Sequence, residues 1–108
     1  MFLLKTMKYT LFKVKEGKLN VWKDWCKLLS TEFKDEALKT LKEENLLTEG
    51  CLVFLIGKEF YVAGYTLENN GGVKPTNLNN DLNRKHLEKR KECLEFVSRG
   101  ESEYFLNL

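Results

Sequence analysis

The sequence predicts an α+β fold in which a four-stranded antiparallel sheet carries two helices on one face. Three observations predict it. Segments rich in Tyr, Phe, Val and Thr recur along the chain, two longer stretches repeat apolar residues every three or four positions, and turn residues punctuate them in the order β-α-β-β-α-β. That order is the split βαβ, or ferredoxin-like, arrangement, with an expected spatial strand order of 4-1-3-2.

Met7 to Val14 reads as the first strand, and "KEGK" turns the chain after it. From Leu19 the spacing becomes helical: Leu19, Trp22, Cys26, Leu29, Phe33, Ala37 and Leu41 fall on one face. A helix running to about Leu47 would be roughly 40 Å long, whereas a seven-residue strand covers only about 23 Å. Such a helix overhangs its sheet or bends. "LLSTEF" around Ser30 and Thr31 is its weakest stretch, because both hydroxyls compete for backbone hydrogen bonds.

Cys51 to Ile56 and Glu59 to Tyr65 read as a hairpin around Gly57-Lys58. "ENNGGVKPTN" is a loop. A second helix is expected from Asp81 to Val97 with Asn80 as N-cap, Gly100 beyond its end, and Glu103 to Leu108 as the fourth strand.

With 108 residues, the chain reads as one domain, with Met1 to Thr6 as a short leader. Apolar and charged fractions of 43% and 31% are ordinary for a globular protein. The 18 basic and 16 acidic residues nearly cancel to a net charge of +2, too weak a field to argue for nucleic acid or an anionic membrane. No run is long enough to span a bilayer. Cys26, Cys51 and Cys93 are odd in number, widely spaced and without a C-x-x-C pair, so they read as reduced thiols in a cytoplasmic protein.

The strands are apolar on both faces. Val53 and Leu55 oppose Leu52, Phe54 and Ile56, and Phe60 and Val62 oppose Tyr61, Ala63 and Tyr65. Strands of this kind are covered on both faces. The economical cover is a second copy, so a homodimer joined through the sheet face is expected, with the C-terminal strand packing along the partner.

A long helix followed by "LKEENLLTEGCLVFLIGKEFYVAGY", and later "NNDLNRKHLEKRKECLE", resembles a small uncharacterised bacterial family of unknown function placed with the dimeric α+β barrels. The resemblance spans Met7 to Val97. It implies a dimeric barrel and a small molecule held in the cleft between helices and sheet. The wider superfamily includes cofactor-independent monooxygenases, isomerases, haem-degrading enzymes and plain ligand binders, so the likeness does not fix a function. Haem degradation is disfavoured, because Trp22 and Trp25 lie on the first helix and strand one contains no Asn.

The lone histidine, His86, shares a helical stripe with Leu82, Cys93 and Val97, while the charges around it, Arg84, Lys85, Glu88, Arg90 and Lys91, mostly fall on the other arc. It faces the sheet and belongs to no basic patch. It reads either as a half-buried core residue or as a ligand-contacting, proton-transferring imidazole. Glu49, just before the second strand, reads as a solvated turn residue or as a partner of His86 across the cleft. His86 and Glu49 are thus the catalytic candidates, and His86, Glu49, Tyr61 and Tyr65 the ligand-binding candidates. Tyr9, Tyr61, Tyr65, Trp22 and Trp25 serve the core or the dimer interface unless one or two line the pocket.

No metal site is expected, since there is no second His and His86 and Cys93 are not at ligand spacing. No cofactor is expected either: dinucleotide, P-loop and nucleophile-elbow motifs are missing. The leading expectation is a small-ligand binder. The alternatives are a cofactor-free monooxygenase or isomerase with His86 as base, and a protein-interaction module without a ligand.

Overall fold

A computed structural model of the chain describes residues 6–108. Of the expected leader, residues 1–5 therefore lie outside the described residues. The elements are β1 (Met7–Val14), α1 (Leu19–Leu29), α2 (Lys34–Glu43), β2 (Leu46–Ile56), β3 (Glu59–Glu68), α3 (Asp81–Cys93) and β4 (Leu94–Glu101). The sheet is open, antiparallel and ordered β2-β3-β1-β4, which is the expected order.

Three helices stand where two were expected, because the first is broken. Ser30 Oγ donates to the carbonyls of Cys26 and Lys27 at 3.0 and 3.2 Å, and Thr31 Oγ1 donates to Lys27 at 2.6 Å. These hydroxyls take over carbonyls at the helix end, and Phe33 N–H closes the turn on the Leu28 carbonyl at 2.9 Å. α2 then starts at Lys34 and packs against β2.

The helical segment also ends earlier than Leu47. Asn45 takes φ 60°, the left-handed conformation that terminates helices and that Asn tolerates better than most residues. Its side-chain amide donates to the carbonyls of Asn70 and Gly72 at 3.0 and 2.8 Å, tying the glycine loop to the helix end. Leu46 and Leu47 consequently open β2, so Glu49 lies within a strand and not ahead of it.

The second correction concerns the last strand. α3 is capped as expected, the Asn80 side chain accepting from Asn83 N–H at 3.1 Å, but it stops at Cys93. Leu94 begins β4, pairing with Val14, and Phe96 pairs with Phe12. Phe96 and Val97 are strand residues, whereas Glu103 to Leu108 form no strand. Leu94 is buried on the helix-covered face, and that burial, with pairing along β1, outweighs continuation of a charged helix.

The core gathers Val14, Val62 and Leu94 from the sheet, Trp22 and Trp25 from α1, and Leu82 and Cys93 around α3. Directly paired residues share a face, so Val53 lies beside Val62, and Cys51 and Glu49, two and four positions earlier, also point to the helices. Tyr9, Leu52, Phe54, Ile56, Tyr61 and Tyr65 point the other way. No helix among the described residues is long and apolar enough to cross a membrane.

Candidate functional site around His86 and Glu49

α1 presents Trp22 and Trp25 three residues apart, both buried, to the side of α3 that carries His86. The rings of both tryptophans lie with centroids 6.1 Å from the imidazole. Trp25 Nε1–H donates to His86 Nδ1 at 2.9 Å. An indole nitrogen can only donate, so Nδ1 must be the acceptor and the ring proton resides on Nε2. Burial, with the Arg90 guanidinium as a second cause, pushes the His86 pKa down to about 4. The imidazole is therefore neutral near pH 7, with one N–H free to donate.

That N–H lies toward Glu49, whose Oε1 is 4.0 Å from His86 Nε2. The distance is too long for a hydrogen bond. Nor is the contact an ion pair at neutral pH, because the ring carries no charge. Glu49 is itself perturbed: burial and the neighbouring Glu44 carboxylate raise its pKa, and Arg90 opposes them. The side chains of His86 and Glu49 remain 26% and 40% exposed, so the pair stands at the mouth of the helix-sheet layer and not inside a sealed core.

An atom between them would have suitable geometry. An oxygen about 2.8 Å from each subtends an angle of roughly 90° across a 4.0 Å gap, close enough to tetrahedral for a hydroxyl or water to accept from His86 and donate to Glu49. His86 has no comparable route to act as a base, because its lone pair already accepts from Trp25.

The four sequence-predicted ligand residues are not brought together. His86 and Glu49 meet on the helix side, whereas Tyr61 and Tyr65 lie on the opposite face of the sheet. The Tyr65 ring covers Gly50 on the neighbouring strand, close enough that a Cβ at Gly50 would collide with it. Tyr61 hydroxyl reaches only Glu59, at 3.5 Å. A separate open groove of about 460 Å³ lies where α2 meets β2, lined by Leu38, Leu41, Lys42 and Leu47 among others and by none of these four residues.

Two features escaped the sequence reading. Trp25 is the partner that fixes the histidine tautomer, and Cys26 on α1 meets Cys51 on β2 with their sulfurs 3.7 Å apart. Separations of 61 and 25 residues leave no local trace of either contact. Among the described residues, no group of three His, Cys, Asp or Glu side chains is disposed to hold a metal ion.

Residues 5–107 match the family described as "Family of unknown function (DUF6176)", and the chain belongs to that family. No curated protein matches it. Among solved structures it is similar to the crystal structure of MupZ from Pseudomonas fluorescens, with a TM-score of 0.47 and 16% sequence identity over 90% of this chain and 69% of that one. So distant a likeness carries no functional argument.

Proposed function

We propose that this DUF6176 protein binds a small, uncharged, oxygen-bearing molecule at the mouth of the cleft between α1, α3 and β2. His86 Nε2–H is the donor and the Glu49 carboxyl the acceptor. The observation that carries the reading is the Trp25 hydrogen bond to His86 Nδ1, which leaves a neutral imidazole with a single, oriented N–H beside a half-exposed carboxyl. A polar group held in this way, in an otherwise apolar layer, is how ligand sites obtain orientation and specificity. An alcohol or a hydroxy-carbonyl compound has the required donor and acceptor on one oxygen or on neighbours.

Binding is favoured over base catalysis for the same reason. A cofactor-free isomerase or monooxygenase using His86 as base would have to break the Trp25 bond before the ring could take a proton. As part of the same reading, the chain works as a homodimer of the dimeric α+β barrel kind, each open sheet face covering the other. Tyr9, Leu52, Phe54 and Ile56, exposed on that face, support this.

The experiment is a proton spectrum of the single imidazole during a screen of small alcohols and hydroxy-carbonyl compounds. A binder should shift the His86 ring signals in the parent protein and lose at least about tenfold in affinity in Glu49→Ala, with the fold unchanged. Binders that leave the His86 signals in place and bind Glu49→Ala equally well would overturn the assignment.

A further inference from the structure

The molecule contains a second cluster of reactive groups that the ligand reading does not use. We propose that Cys26 and Cys51 form an oxidisable dithiol, a modification site that a hydroperoxide converts into an intramolecular disulfide. The two sulfurs are 3.7 Å apart and both residues are half-buried, whereas Cys93 is fully buried. A disulfide needs its sulfurs at about 2.05 Å, so they must approach by rather less than 2 Å. Cys51 is held in the sheet. Cys26 lies in the last turn of α1, just ahead of the break at Ser30 to Phe33, with only three helical residues beyond it.

A second observation points to the same sulfur. The indole N–H of Trp22 is buried and has no nitrogen or oxygen acceptor. It lies beside Cys51, where its dipole favours the thiolate. Either thiol can donate across the 3.7 Å contact, and the Trp22 dipole favours the arrangement in which Cys26 donates and keeps its proton, so that the Cys51 pKa falls below the ordinary thiol value. Burial and the Glu49 carboxylate on the same strand face act against that fall without reversing it. The division of labour follows: Cys51 is the attacking sulfur and Cys26 the resolving one.

The chemistry balances with hydrogen peroxide as the oxidant. Cys51 sulfur attacks one peroxide oxygen, the O–O bond breaks, and the departing hydroxide takes a proton to leave as water, giving a sulfenic acid at Cys51. Cys26 then loses its proton as its sulfur attacks the Cys51 sulfur. The S–O bond breaks, a second water leaves, and the S–S bond forms. Two thiols and one peroxide give one disulfide and two waters, with two electrons passing from sulfur to oxygen.

The test is to treat the folded protein with an equivalent of hydrogen peroxide, then count free thiols and map the disulfide by mass spectrometry. The expected result is loss of two of the three thiols, a mass lower by two hydrogens, a Cys26–Cys51 cross-linked peptide, and recovery on reduction. Cys26→Ser should instead accumulate a sulfenic acid at Cys51 that a dimedone probe captures, and Cys93→Ala should behave as the parent. Three thiols left intact, a bridge through Cys93, or cross-links only between chains would overturn the proposal. Peptide mapping of the parent protein alone decides between these outcomes, so the test stands even if a variant fails to fold.

Discussion

Trp25 and His86, on different helices, meet through one hydrogen bond from indole Nε1 to imidazole Nδ1 at 2.9 Å, and that bond sets which ring nitrogen keeps its proton. The indole cannot accept, so protonating Nδ1 would leave two donors facing each other in a buried place. The fixed tautomer and the outward-facing Nε2–H thus share one cause in the packing of α1 against α3, and the same packing buries the ring, which with Arg90 lowers its basicity.

Replacing the indole isolates that cause. Trp25→Phe retains an aromatic ring but no donor, so the His86 pKa should rise from about 4 toward its ordinary 6.5. The lost bond and the smaller ring together should cost about 1–3 kcal/mol of stability. Imidazole proton shifts against pH and a urea titration check the two effects. An unchanged imidazole midpoint would mean that burial and Arg90 hold the ring neutral without the indole.

The depressed histidine pKa also fixes a pH dependence. Above pH 6.5 folded and unfolded chains both carry a neutral ring, and the full stability is present. As pH falls from 6.5 toward 4 the unfolded chain takes up a proton that the folded chain refuses, so stability is lost, by about 3 kcal/mol over that window. Glu49 works in the opposite sense: its raised pKa makes the folded chain bind its proton first, which favours folding as pH drops. That contribution is common to the parent and to His86→Asn, whose amide oxygen stands where Nδ1 does and can still accept from Trp25. The variant should therefore show a flatter stability profile between pH 6.5 and 4 than the parent. Parallel profiles for the two proteins would contradict a histidine origin for the acid sensitivity.

Asn45 gives a third outcome. It combines a left-handed backbone at φ 60° with two side-chain bonds to the glycine loop. Asn45→Ala loses both bonds and keeps the backbone cost, for about 1.5–3 kcal/mol, whereas Asn45→Gly loses the bonds but relaxes the backbone, for about 0.5–2 kcal/mol. Urea midpoints should rank parent, glycine, alanine. An alanine variant as stable as the glycine one would show that the backbone at this position is unstrained.

These residues also show where sequence was a sufficient guide. Turn residues and the change from strand to helical spacing were enough for strand order, because a β-α-β-β-α-β chain has few ways to arrange its strands in one sheet. Ser30 and Thr31 marked the helix break through their own hydroxyl chemistry. Phe96 and Val97 misled because they stand three and four residues beyond Cys93, continuing a helical period as convincingly as they begin a strand. Asn45 ends the helix, but Leu47, level with Leu29 on the helical stripe, reads as its continuation. Glu49 and His86 were each legible as residue types, whereas their approach depends on the β2–β3 register. That register also sends Tyr61 and Tyr65 to the other face. Trp25–His86 and Cys26–Cys51 are purely tertiary, and no local pattern encodes them.

The open sheet face yields the last prediction. Leu52, Phe54 and Ile56 are 51%, 41% and 57% exposed on neighbouring same-face positions of β2, and Tyr9 on β1 is 38% exposed. A contiguous apolar surface of this kind is rarely left to water, and a second sheet packed about 10 Å away would bury it. The parent protein should therefore scatter light as a dimer at micromolar concentration. Phe54→Lys places a charge in the middle of that face and should weaken the dimer by about tenfold or more. It should leave the secondary structure intact, because the Phe54 side chain points away from the core. Val73→Lys, an equally abrupt change at an exposed loop position, should leave the dimer unaffected. A parent protein that runs as a monomer would mean that something other than a second copy covers the sheet. A Phe54→Lys protein as dimeric as the parent would move the interface elsewhere, to the exposed residues beyond β4, where Tyr104 and Leu106 are 81% and 86% exposed.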